Sequence, residues 1–269
     1  MVITITVTPG KSSDTRVIKV MAEQLKWQFG TVVEIRRETP KVKSLILDVP
    51  NWTGHLAGQR VDVRLTAEDG YQAQRSYSIA SPPDEKLLML TVDRIEDGEV
   101  SPYLTDEVSV GDRLELRGPI GGYFVWDAGD EKNDGVPLFL VAGGSGIAPL
   151  MAMIRHRANS IKKVPTRLLY SSRALEDIIY REELEHFARN DSTLRITYTL
   201  TRRQPQNWNG YGRRIDTAML AETGFQPAEK PLIFVCGSTG LVEAVATYML
   251  ELGYDPERIR TERFGPTGN

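Results

Sequence analysis

The hydrophobic pattern of this chain changes its period near residue 127, and that change constrains the fold more than any single motif. Before it, short runs alternate apolar and polar residues, from TVVEIRR at Thr31 to DRLELRG at Asp112. Closely spaced strands of this kind are typical of an antiparallel barrel. After it, continuous apolar runs such as LFLVAG and LIFVCGS each lead into a helical pattern. That alternation predicts a parallel sheet covered by helices.

We therefore predict an antiparallel β-barrel over residues 30–130 followed by a parallel α/β domain over residues 135–269. The polar segment DAGDEKNDG at residues 127–135 has the composition of a solvated connection between two cores. A chain of 269 residues also exceeds the usual size of one domain. Residues 1–29 could form a strand with a short helix or a loosely attached leader, and no function is assigned to them.

Charge and cysteine content exclude several classes of function. The 33 basic and 36 acidic side chains give a net charge of -3, so neither nucleic acid nor a membrane surface is an expected partner. The chain shows no signal peptide and no run of roughly 18 apolar residues, so we expect a cytoplasmic protein. The single cysteine, Cys236, excludes an internal disulfide and an iron-sulfur cluster, so any such cluster must belong to another protein. No metal site is predicted.

A turn rich in small residues follows the first apolar strand of the second domain. Such a turn lets backbone amides approach a diphosphate at a helix N-terminus, and Pro149 suits the first turn of that helix. The loop is neither a G-x-G-x-x-G dinucleotide motif nor a nucleotide triphosphatase loop. A tight strand-to-helix connection without a ligand is the alternative. The turn consists of Gly143, Gly144, Ser145 and Gly146.

A second apolar strand ends in Cys236, Gly237 and Ser238, again before a helical pattern. Ligands of open parallel sheets bind along the carboxyl ends of the strands, so the two turns are expected to face one cleft. By itself Cys236 is interpreted as a buried apolar residue, because the chain has only three histidines and none is near it in sequence.

Five short motifs occur in a fixed order along the chain, and their combination is far more specific than any one motif. They are RSYS, GEVSPYL, GPIGGYF, GGSGIAP and CGS, which begin at Arg75, Gly98, Gly118, Gly143 and Cys236. From about residue 31 to its end, the chain resembles the ferredoxin-NADP reductase family. The resemblance implies a barrel that binds FAD, with FMN as the alternative, and an α/β domain that binds NADP, with NAD possible.

The resemblance also implies roles for residues of the barrel. The guanidinium of Arg75 would hold the flavin diphosphate, Tyr77 would pack along the ribityl and ring region, and the Ser78 hydroxyl would lie near flavin N5. A surface salt bridge and ordinary strand alternation are the alternatives. A short helix, capped by Ser101 with Pro102 in its first position, would begin where the flavin phosphates bind. The predicted flavin residues are Arg75, Ser76, Tyr77, Ser78, Gly98, Val100 and Ser101.

The nicotinamide cofactor is predicted from the ends of two further strands. Ser172 and Arg173 occupy the position at which family members meet the adenosine 2'-phosphate, and an arginine there suits NADP. Arg202 could add a second positive charge. Tyr180 could stack on adenine or pack under the sheet. Acidic residues follow shortly after Arg173, so NAD stays open as the alternative.

The resemblance implies hydride transfer from NADPH to flavin N5 beside Ser78 and Cys236. Phe264, in the closing TERFGPTGN, would shield the flavin or pack at a domain interface. Single electrons would then pass to a separate ferredoxin, flavodoxin or oxygenase component, since the ferredoxin cysteines that many relatives fuse to this core are missing. Two alternatives stay open, a reductase of free flavin or ferric chelates that uses NAD(P)H and a non-catalytic electron-relay subunit.

Overall fold

A computed structural model describes residues 25–265 of the chain. Most of the unassigned segment 1–29 lies outside this range, and its last two residues already belong to the first strand, which begins at Gln28. Within the described residues, no helix combines the length and the apolar character that a membrane crossing requires.

Six antiparallel strands form the N-terminal sheet, in the order β4-β3-β6-β1-β2-β5. An antiparallel bridge between Ile79 and Leu90 joins the continuation of β4 to β5, so the two edges of the sheet meet. Fully buried side chains such as Leu45 and Val61 fill the interior, as alternation along half-buried strands requires. The predicted barrel is confirmed. Its strands are β1 (Gln28–Arg37), β2 (Val42–Asp48), β3 (Arg60–Thr66), β4 (Gln72–Ser78), β5 (Leu88–Asp93) and β6 (Arg113–Ile120).

The short helix predicted inside the barrel is present, but Ser101 does not cap it. The helical turn has π-type hydrogen bonding over Tyr103–Glu107 and follows Pro102, with no side-chain cap. The Ser101 hydroxyl instead accepts the backbone N–H of Ile95 at 3.0 Å. The predicted cap is therefore wrong, because a backbone donor in the preceding loop competes for the same oxygen.

The second domain is a five-stranded parallel sheet in the order β11-β10-β7-β8-β9. Successive residues such as Phe139 and Leu140 pack into different apolar clusters, one on each side of the sheet. Burial on both faces explains the continuous apolar runs and confirms the predicted α/β domain. The strands are β7 (Leu138–Gly143), β8 (Thr166–Ser172), β9 (Leu194–Leu200), β10 (Leu232–Ser238) and β11 (Ile259–Phe264).

Helices connect these strands, namely α1 (Ile147–Asn159), α2 (Arg181–Asn190), α3 (Thr217–Thr223) and α4 (Thr239–Glu251). The sequence pattern did not predict α3 or β11. Helix α3 has only seven residues, too few for a clear helical period. Strand β11 lies at the sheet edge and is mostly half-buried, so it lacks a continuous apolar run.

The barrel and the parallel sheet contact each other directly. The ring of Phe124 meets that of Phe234 edge to face, with centroids 5.2 Å apart. The Tyr123 hydroxyl donates to the carbonyl oxygen of Ile259 at 3.0 Å. The Arg260 guanidinium donates to the carbonyl oxygen of Val125 at 2.5 Å. Strands β10 and β11 are thereby joined to the segment that leaves the barrel.

Candidate active site

The two predicted nucleotide turns meet at the carboxyl ends of β7 and β10, where the sheet order reverses direction. These strands are neighbours, with Ala142 opposite Cys236. A Cβ atom on Gly146 would lie 2.3 Å from the carbonyl oxygen of Cys236, and one on Gly237 would lie 3.2 Å from Gly143 Cα. Only glycine permits so close an approach of the two backbones. The structure thus brings the predicted turns together.

Gly144 forms the open side of this turn. Its φ of 54° lies in the left-handed region, and a Cβ atom there would have no neighbour within 4 Å. Its carbonyl oxygen accepts the hydroxyl of buried Tyr170 at 3.0 Å. The turn is therefore fixed from inside the domain while its outer surface is free for a ligand, as a phosphate-binding turn requires. Ser145, next in the chain, is half-buried.

On the barrel side, the predicted flavin residues follow one another along β4. Ser78 is 3% exposed, and its hydroxyl has no hydrogen-bond partner within residues 25–265. Such a group costs free energy, of the order of 1–3 kcal/mol, unless a ligand or water satisfies it. Tyr77 is half-buried, and burial raises the pKa of its hydroxyl. An unpartnered hydroxyl beside a half-buried aromatic ring fits the flavin that was predicted here.

Arg75 and Ser76 have partners of their own. The Arg75 guanidinium is 3.2 Å from the Glu99 carboxylate, and both side chains are more than half exposed. An exposed pair of this kind contributes little to stability, so a diphosphate could replace Glu99 at small cost. The Ser76 hydroxyl donates to Asp62 at 2.6 Å. The salt-bridge alternative for Arg75 is thus seen in the structure, and its role toward the diphosphate stays a prediction.

The segment from Gly98 to Ser101 forms a compact turn beside this strand. The N–H of Gly98 donates to the carbonyl oxygen of Ile95 at 3.0 Å, and Val100 is buried in the barrel core. The Ser101 oxygen accepts a hydrogen bond, so its own proton remains available to a further acceptor. The phosphate contacts predicted for these residues remain predictions.

A series of contacts across the domain boundary links the strands that carry the three predicted catalytic residues. Ser78 lies opposite Arg60 in the barrel, and the Arg60 guanidinium is 3.6 Å from the Glu262 carboxylate in β11. Glu262 is in turn opposite Cys236. The half-buried Phe264 lies opposite Ser238, at the end of the same pair of strands. The end of β4 and the carboxyl ends of β10 and β11 are therefore joined through the Arg60–Glu262 pair, and the shared catalytic site predicted for Ser78, Cys236 and Phe264 stays a prediction.

Glu262 is a residue of this site that the sequence analysis missed. Burial raises its pKa to about 7, although the charge of Arg60 opposes the shift, and its Oε2 atom has no hydrogen-bond partner in the described part of the chain. Burial, and then the charge of Glu262, also raise the pKa of the Cys236 thiol. The thiol is thus protonated and not a nucleophile. Glu262 and Phe264 are two residues apart in β11, so their side chains lie on the same face of the strand. This spacing is the sequence signal from which Glu262 could have been predicted.

The carboxyl ends of β7, β8, β9 and β10 form one edge of the parallel sheet, which we call the nucleotide edge. It continues from the two turns to the ends of β8 and β9. Ser172 is buried, whereas Arg173 is exposed. The carbonyl oxygen of Arg173 accepts the backbone N–H of Arg202 at 3.0 Å, and the N–H of Arg203 at the same distance. Arg202 is exposed as well, while Arg203 forms an ion pair with Glu176. The structure thus places Arg173 and Arg202 side by side at the sheet edge, where two cations suit a phosphate.

Tyr180 does not lie at this edge. It is 4% exposed, and its hydroxyl is hydrogen-bonded to Thr91 of the barrel. The Arg155 guanidinium is 4.7 Å from the centroid of its ring. With the ring buried and its face covered, Tyr180 packs beneath the sheet, which was the second of the two predicted roles. In this arrangement it is not accessible for stacking on adenine.

Comparisons with known proteins agree with this geometry. Residues 30–125 match the Oxidoreductase FAD-binding domain, and residues 140–247 match the Oxidoreductase NAD-binding domain. The glycine betaine monooxygenase reductase subunit of Pseudomonas aeruginosa is 34% identical over 239 residues, which cover 87% of this chain and 63% of that protein. The chain therefore spans less than the full length of this relative.

Ferredoxin--NADP reductase B of Sorangium cellulosum is 33% identical over 243 residues, which cover 87% of this chain and 96% of that protein. Among solved structures, the cytochrome P450 reductase GcoB of Amycolatopsis superposes with a TM-score of 0.79 and 26% identity, covering 96% of this chain and 74% of that one. The order of the domains, the turns that meet between them and these similarities lead to the same conclusion. The chain belongs to the ferredoxin-NADP reductase family of flavoprotein oxidoreductases and carries an FAD-binding domain followed by an NAD(P)-binding domain.

Proposed function

We propose that this protein takes a hydride from NADPH onto bound FAD and passes single electrons to a separate acceptor. The observation that carries the proposal is the buried Ser78 hydroxyl, which has no partner among the described residues and lies opposite Arg60, the residue that pairs with Glu262 of the parallel sheet. Bound FAD would supply hydride acceptance and single-electron release, which no side chain provides. The protein's own contribution is then to bind, align and exclude water.

Four residues would do this work at the meeting point. The Ser78 hydroxyl would orient the flavin by hydrogen bonding, and Phe264 would cover the site from the sheet edge. With its pKa raised to about 7, Glu262 would hold a proton on its carboxyl group, which would stay neutral in slightly acidic solution. The neutral Cys236 thiol would fill the space behind the nicotinamide without adding charge, because burial raises its pKa.

The preference for NADPH rests on the arginines of the sheet edge. Arg173 and Arg202 are both exposed and are linked through their backbones, so their side chains leave the edge from adjacent points. A dianionic 2'-phosphate would gain charge-assisted hydrogen bonds there, whereas the ribose diol of NADH would gain none. A difference in binding free energy of this kind discriminates between the two cofactors.

An iron-sulfur acceptor would lie outside these 269 residues, because a single cysteine does not hold such a cluster. Two of the similar proteins are a monooxygenase reductase subunit and a ferredoxin--NADP reductase. On that basis a ferredoxin, a flavodoxin or an oxygenase component is the proposed class of partner.

An anaerobic stopped-flow titration of the flavin-loaded protein tests the proposal. NADPH and NADH are mixed separately with the protein, and the loss of flavin absorbance is followed. Fast bleaching by NADPH, with slower or weaker bleaching by NADH, is expected. Faster bleaching by NADH would overturn the assignment of NADPH. A loaded sample that neither nucleotide bleaches would overturn the reductase and favour an electron relay.

A further inference from the structure

A buried chain of hydrogen bonds crosses the domain boundary away from the proposed reaction site. The Tyr180 hydroxyl, just before α2, is hydrogen-bonded to the hydroxyl of Thr91 in β5. Thr91 Oγ1 is 2.9 Å from Ser44 Oγ in β2, and Ser44 donates to the Glu38 carboxyl at 2.7 Å. Because Ser44 gives its proton to Glu38, Thr91 donates to Ser44 and Tyr180 donates to Thr91. The chain therefore runs in one direction, from the nucleotide domain into the barrel.

A second contact holds Tyr180 at the same place. The Arg155 guanidinium lies over its ring and donates to the carbonyl oxygen of Ala80 at 2.7 Å. Ala80 is only two residues beyond Ser78, the last residue of β4. We call β4 the flavin strand because it carries the predicted flavin residues. Arg155 also pairs with Glu183 of α2 at 2.7 Å. One guanidinium thus connects the start of α2, Tyr180 and the end of the flavin strand.

The backbone of Tyr180 indicates that these contacts determine its position. Its φ of 59° lies in the left-handed region, which a large non-glycine side chain rarely adopts. Such a conformation persists where the surroundings fix the residue, and here the ring and the hydroxyl are both held across the boundary.

Tyr180 is also connected, through its chain neighbour Ile179, to the glycine turn at residues 143–146. The fully buried Tyr170 hydroxyl accepts the N–H of Ile179 at 3.2 Å and donates to the carbonyl oxygen of Gly144 at 3.0 Å. This hydroxyl therefore joins the glycine turn to the loop that begins at Arg173. Tyr170 connects this turn and this loop within the domain, whereas Tyr180 connects them to the barrel.

We propose that Tyr180 is a positioning residue that keeps the nucleotide edge in register with the flavin strand. The proposal rests on the proposed function. Loss of the Tyr180 hydroxyl leaves the glycine turn and the loop before α2 intact but loosens their alignment with the barrel. Hydride transfer needs both domains in register, and small displacements of reacting groups have large effects on rate. Nucleotide binding needs the turns alone, so the limiting rate falls while affinity changes little.

Tyr180→Phe is compared with Tyr170→Phe and with Tyr198→Phe as the matched control. Tyr198 belongs to the same domain, and its buried hydroxyl has no hydrogen-bond partner among the described residues. Stopped-flow flavin reduction gives the limiting rate with NADPH, and flavin difference absorbance gives the dissociation constant of NADP⁺. Hydrogen-deuterium exchange of residues 173–181, without nucleotide, reports whether the loop has loosened.

For Tyr180→Phe we expect a limiting rate roughly five- to tenfold lower, a dissociation constant changed less than about twofold and faster exchange in the loop. For Tyr170→Phe the dissociation constant should rise roughly fivefold. Tyr198→Phe should match the wild type in all three measurements. Thr91→Val removes the same Tyr180–Thr91 hydrogen bond from the barrel side, and it should lower the limiting rate in the same way. It replaces Tyr180→Phe as the test if that variant does not fold.

An unchanged limiting rate in both Tyr180→Phe and Thr91→Val, beside a wild type that NADPH bleaches, would overturn the positioning role alone. The same holds if affinity falls and the limiting rate does not. A wild type that no nucleotide bleaches would instead overturn the proposed function and this inference with it.

Discussion

The flavin strand of the barrel and the glycine turn of the parallel sheet border one site but are built by different means. At Ser78 the protein buries a side-chain hydroxyl that has no partner among the described residues. At Gly146 two backbones come so close that a Cβ atom would lie 2.3 Å from a carbonyl oxygen. The barrel offers a side chain to its ligand, whereas the sheet offers backbone N–H groups at a helix N-terminus. Substitutions on the two sides should therefore fail in different ways.

Gly146→Ala should have the largest effect. The added methyl group would overlap the backbone of Cys236, so β7 and β10 would have to separate at their carboxyl ends. We expect a loss of about 2 to 4 kcal/mol in the free energy of unfolding, measured by urea denaturation, and weak binding of NADP⁺. Gly240→Ala is the control, because a Cβ atom in that helical position has no neighbour within 4 Å. Equal stability of the two variants would contradict the backbone role of the turn.

Glu262→Gln tests, through pH, the contact between the two sides, because Glu262 in β11 pairs with Arg60 of the barrel. Burial raises the pKa of Glu262 to about 7, so the folded protein keeps a proton that the unfolded chain releases. Stability from this carboxyl is fully present below 4.5, the ordinary pKa of a glutamate, and is lost as the pH rises through 7. Glutamine does not ionise. The variant should therefore exceed the wild type by about 3 kcal/mol at alkaline pH and match it in acid.

Urea denaturation of the wild type and Glu262→Gln across the pH range gives this difference. Glu243→Gln, at an exposed carboxylate on α4, should show no such divergence. A constant offset between Glu262→Gln and the wild type at all pH values would mean that the carboxyl does not titrate near neutrality.

Arg173→Ala sharpens the comparison at the outer end of the nucleotide edge. The dissociation constant of NADPH should rise roughly tenfold because a charge-assisted contact is lost, and that of NADH should change less than about twofold. Arg195→Ala is the matched control, since Arg195 is exposed but lies at the amino end of β9, away from the site. Equal weakening of both nucleotides would show that Arg173 does not select the 2'-phosphate.

Ser78→Ala should have the smallest effect on stability, and that effect should be favourable. Removing an unpartnered buried hydroxyl should stabilise the flavin-free protein by up to about 1 kcal/mol. The same variant, loaded with FAD, should be reduced by NADPH more slowly than the wild type. Opposite signs in stability and rate are expected of a group that serves a ligand. A loss of stability without flavin would indicate a structural role instead.

Local patterns were sufficient for the architecture and for the position of the turns. The change from a period of two to continuous apolar runs predicted the barrel and the parallel sheet, because burial on one face or on both is written directly into the order of residues. The glycines around Gly143 and Gly237 marked strand ends where backbones approach closely. Motif order also predicted that Ser78, Cys236 and Phe264 belong to one site, and this stays a prediction.

Only the tertiary structure decided which polar groups are buried and which hydrogen-bond or ion-pair partners they contact. Tyr180 meets Thr91 over a separation of 89 residues, and Glu262 meets Arg60 from the other domain. The Ser101 hydroxyl accepts the N–H of Ile95, and does not cap the helix, because the loop before it folds back. A sequence pattern records the period with which side chains are buried, but a hydrogen bond or a shifted pKa depends on partners that only folding brings within a few ångströms. The sequence by itself therefore determined the fold and the edges of the site, while long-range contacts across the domain boundary determined the protonation and alignment within it.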